Sequence, residues 1–108
     1  MSHHALDTAS LEMARRIAAG LGTHPEWLTH ARNNLQRWQS RNADAPGLVR
    51  CYQEWLAILD LPVDEIRRRL VDPSEEGQRL RQSSPFAGVL PPREVWAIKK
   101  SSHEPNAT

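Results

Sequence analysis

Cysteine is almost missing from this chain. Cys51 is the only one in 108 residues, so a disulfide framework within the chain is excluded. Its place on the apolar side of an expected helix reads as a small core residue. Long apolar runs are missing too. None approaches the roughly 18 residues that a membrane span requires. The start, Met1-Ser2-His3-His4, is polar, with no basic region followed by an apolar stretch, so no secretory signal is expected. These absences point to a soluble, cytoplasmic protein with no membrane partner.

Metal-ligand spacing is also lacking. The histidines are His3, His4, His24, His30 and His103. None pairs with a cysteine or sits at i, i+4 with another, so no metal site and no other cofactor is expected. There is no glycine-rich phosphate loop and no nucleophile elbow. Cys51 has no histidine nearby in sequence, and an apolar face disfavours its thiolate. The acid pairs Asp64-Glu65 and Glu75-Glu76 fall in the first turns of expected helices, where the helix dipole accounts for them. No catalytic residue stands out, and the chain reads as non-enzymatic.

Charge of one sign is not in excess. Fourteen basic and 13 acidic residues leave a net charge of +1, which argues against a general polyanion binder. Lysine is scarce. Only Lys99 and Lys100 are lysines, so arginine carries nearly all the positive charge. Arginine makes forked contacts that lysine cannot. The preference by itself is most simply ascribed to a GC-rich, bacterial coding sequence.

Strand-like alternation is missing throughout, and what is present reads as helix. Leu11, Ala14, Ile17, Ala18 and Leu21 recur at helical spacing after a cap at Asp7 or Thr8. Gly20 and Gly22 mark the end of that helix. Thr23-His24-Pro25-Glu26 has the form of a capping box. The second helix then carries Ala31, Leu35 and Trp38 on one face, with Asn33-Asn34 an unfavourable pair in its middle. A third helix opens at Ala45-Pro46 with Asp44 as cap. Leu48, Tyr52, Trp55, Leu56 and Leu59 line its inner face. Leu61-Pro62 ends it. A short fourth helix has Asp64 and Glu65 in its first turn and Arg67, Arg68 and Arg69 in its last. Asp72-Pro73-Ser74-Glu75 starts a fifth, with Asp72 as cap and Gly77 as a weak point within it. Pro91-Pro92 starts a last one.

The fold class is therefore all-α: a single small bundle of five to six short helices, with a Pro- and Gly-marked C-terminal loop and a frayed tail. Residues 1–6 are expected to be a flexible N-terminus, 7–99 one helical domain and 100–108 a flexible tail. The expected core is Leu11, Ile17, Leu21, Leu28, Leu35, Trp38, Tyr52, Trp55, Leu56, Leu59, Ile66, Leu70, Leu80, Phe86, Leu90, Val95 and Ile98.

Phenylalanine occurs once, as Phe86, inside the stretch from Leu80 to Trp96 that differs most from a helix. Pro85, Gly88, Pro91 and Pro92 shape it. Loops on a rigid helical scaffold commonly carry binding residues. Arg81, Phe86, Arg93 and Trp96 are accordingly the candidate partner-binding residues. The expected function is a non-enzymatic protein-interaction module of a bacterial cytoplasm, such as an antitoxin or small regulatory subunit. A homodimer is compatible with the near-neutral charge. The first alternative is a small DNA- or RNA-binding regulator using Arg67, Arg68 and Arg69. Its weakness is that the N-terminal end of that helix, which recognition helices present to bases, is acidic. The second is a small enzyme or ligand-binding domain whose pocket, holding Arg81, His30 and a carboxylate together, is assembled from distant residues.

Overall fold

The structure is a computed structural model. It describes the backbone of residues 2–103 and the side chains of residues 8–101. Among the described residues there are six helices and no strand: α1 Ser2–Gly20, α2 Glu26–Arg41, α3 Pro46–Leu59, α4 Val63–Leu70, α5 Glu75–Arg81 and α6 Pro92–His103. The protein is an all-α bundle. α1 is its axis and packs against α4, α5 and α6, while α3 bridges α2 and α4.

Both end helices are longer than the sequence pattern implies. α1 begins at Ser2, ahead of the Asp7 or Thr8 cap, and no Pro or Gly between Ser2 and Thr8 interrupts it. α6 continues through His103, past Lys99, where fraying was expected to begin. The expectation of a flexible tail over 104–108 lies outside the described residues.

Trp55 is fully enclosed at the centre. Its ring meets Phe86 edge to face at 6.3 Å, and its indole Nε1 donates to the carbonyl oxygen of Leu80 at 2.9 Å. Ile17, Leu21, Leu35, Ile66, Leu70 and Ile98 belong to the same buried cluster. Small residues that the sequence pattern undervalues, Ala9, Ala14, Ala18 and Ala31, are buried and let the helices approach. Ile58 is buried as well. Leu48 departs from the inner face of α3 on which the sequence pattern places it. It sits in the first turn of α3 and stays exposed.

Three expected caps are built differently. Thr23 does not cap α2. Its hydroxyl donates back to Gly20 O at 3.2 Å, and Glu26 pairs with His24 at 3.0 Å, so the capping box is not formed. Thr23 falls within the turn that ends α1, where orphan carbonyls compete for it. At α3 the cap position is Ala45 and no side chain bonds there. At α5 the cap is Ser74, which accepts from Gly77 N–H at 3.4 Å. Asp72 instead forms the turn before it, accepting from Ser74 N–H at 2.9 Å. That turn explains Gly77. A Cβ there would overlap the backbone carbonyl of Asp72, so the glycine keeps the connector tight against α5.

The C-terminal ends of the helices share one device. The last four carbonyls of a helix lack partners within it, and in α1 to α5 a side chain reaches one of them. Arg67 Nε donates to Ala18 O at 3.0 Å. Asn42 Nδ2 donates to Trp38 O at 3.1 Å. Arg32 donates to Leu59 O at 2.9 Å. Arg81 donates to Leu70 O at 3.3 Å and also to Asp72 O. Trp55 serves Leu80 O at the end of α5. The arginines in this set have a structural reason that base composition does not supply. A planar fork holds a carbonyl and a second acceptor at once.

Candidate functional site

The connector between α5 and α6, residues 82–91, is clamped from one side by α2. Asn34 is buried, only 3% exposed. Its amide nitrogen donates to Pro85 O at 2.9 Å and to Ala87 O at 3.3 Å. His30 Nε2 lies 2.8 Å from Ala87 O. A carbonyl oxygen only accepts, so this nitrogen carries the proton. Arg37 donates to Asn34 Oδ1 and fixes the amide orientation. Gly88 has φ +89°, a left-handed conformation that glycine adopts without strain. Asn34, one of an asparagine pair unfavourable as helix, is thus an anchor for a loop 51 to 53 residues on. The signal was a polar residue on the apolar face of α2, four before Trp38.

On its other side the connector forms a wall of a half-open groove of about 330 Å³. α1 supplies Ser10, Met13, Ala14 and Ile17. The connector supplies Ser84, Phe86, Ala87, Gly88 and Leu90, and α6 supplies Val95 and Lys99. Arg81 and Gln82, at the junction of α5 and the connector, line it as well. α1 and α6 run antiparallel along it, since Ser10 and Lys99 share the groove while Arg16 bonds Glu94 at 2.9 Å.

The charges around the groove are unevenly matched. Glu94 is taken by Arg16, and Glu12 by Arg16 at 3.3 Å and Arg15 at 3.7 Å. The Arg16 guanidinium is held above its ordinary range by Glu94 first and then Glu12. Arg93 and Lys99 make no ion pair among the described residues. Lys100 lies over the Trp96 ring, 5.0 Å from its centroid. Trp96 itself is 64% exposed. Among the described residues no carboxylate lines the groove.

The four candidate partner-binding residues are divided by the structure. Arg81 is 6% exposed and Phe86 2%, so both shape the site from within. Phe86 and Arg81 are among the residues that line the groove, while Arg93 and Trp96 are exposed on α6 outside that lining. In the second basic group, Arg67 is committed to Ala18 O and pairs with Asp64 at 3.3 Å. Arg68 pairs with Glu65 at 3.0 Å, and Arg69 is exposed. The groove contains Arg81 but neither His30 nor a carboxylate, so the constellation named for a ligand pocket is not assembled there. Among the described residues no group of three His, Cys, Asp or Glu side chains is placed to hold a metal ion. No helix among them is long and apolar enough to cross a membrane.

No protein-family model, no curated protein and no solved structure matches this chain.

Proposed function

We propose that this protein is a binding module for another protein and that the groove between α1, the 82–91 connector and α6 receives the partner. The observation that carries this reading is the half-open apolar groove with the exposed Trp96 on the adjoining helix. Tryptophan is enriched among the residues that carry most of the energy of protein interfaces. The clamp from His30 and Asn34 supports the same reading. It fixes the connector before a partner arrives, which lowers the ordering cost of association. An antitoxin or a small regulatory subunit of a bacterial cytoplasm fits, because neither needs chemistry of its own.

Affinity capture from cells of the source organism tests the proposal, with the native chain and a Trp96→Ala, Val95→Glu double variant compared by mass spectrometry. A partner retained by the native chain and lost with the variant is the expected result. Equal sets of retained proteins on both baits would sink the reading.

A further inference from the structure

We draw no further inference here: the strongest candidate, the half-open apolar groove between α1, the 82–91 connector and α6, carries none, because Lys99 alone among its described lining residues offers an uncommitted charge and nothing in the structure shows what covers the groove.

Discussion

Two groups of cations in this molecule look alike in sequence and differ in what they do. Arg32, Arg67 and Arg81 each donate to a carbonyl at the end of another helix, α3, α1 and α4 in turn. Arg93, Lys99 and Lys100 stand on α6 with no ion-pair partner among the described residues, beside an open apolar groove. The first group substitutes for backbone hydrogen bonds that a helix end cannot make for itself. The second closes no helix end, and Lys100 of this group lies over the Trp96 ring. Charge count does not separate the two groups; the position of the nearest helix end does.

The contrast can be broken at its structural side first. Replacing Arg81 by Met keeps volume but leaves the Leu70 and Asp72 carbonyls without that donor. A loss of about 3 kcal/mol is expected, read by chemical denaturation. Gly77→Ala attacks the same connector from the backbone and should cost about 2–3 kcal/mol through overlap with the Asp72 carbonyl. Gly47→Ala serves as control, since a Cβ there meets nothing within 4 Å. Arg67→Met should cost about 1.5 kcal/mol through the lost bond to Ala18 O. On the other side, the triple variant Arg93→Ala, Lys99→Ala, Lys100→Ala should stay within about 0.5 kcal/mol of the native chain. A triple variant that unfolds would erase the distinction.

The smallest effect concerns acid. The Ser74 backbone N–H, then the Ser74 hydroxyl, Arg81 and Arg69 hold the Asp72 carboxyl below its usual range. Arg79 does the same for Glu76. A depressed folded-state value contributes stability above the unfolded value and loses it as pH falls through the folded one. The protein should therefore weaken below about pH 4. Asp72→Asn should flatten that acid limb in a thermal-denaturation series while leaving the neutral-pH side of the α6 cations untouched. An unchanged acid limb would mean that other carboxylates govern it.

The helix starts at Pro46, Pro62 and Pro92 are legible in the sequence because proline acts locally, on its own φ and on the residue before it. The inward faces of α3 and α4 are legible because burial follows a 3.6-residue period. The groove is not legible. It exists only because α1 and α6, some 80 residues apart in the chain, lie antiparallel with Arg16 on Glu94. Trp96 and Arg93 could be picked out as surface residues of α6, but the role of Met13 in the groove depends on that pairing. The end-capping role of Arg67 was hidden for the same reason, since its acceptor is 49 residues away. Asn34 shows the intermediate case. Its misfit in a helix was visible, while the loop that resolves it was not.

The helix-end bonds also bear on how the chain folds. Arg67 reaches Ala18 and Arg32 reaches Leu59 across separations of 49 and 27 residues. A helix in this chain therefore finds its proper stop only after another has docked. Isolated peptides spanning α1 or α3 should fray at their C-terminal turns, and those turns should tighten in the same step that forms the core. Secondary and tertiary order then rise together, as in nucleation–condensation. The amides of the last turn of α1 should exchange with solvent at the rate of the core, not at the rate of a helix end.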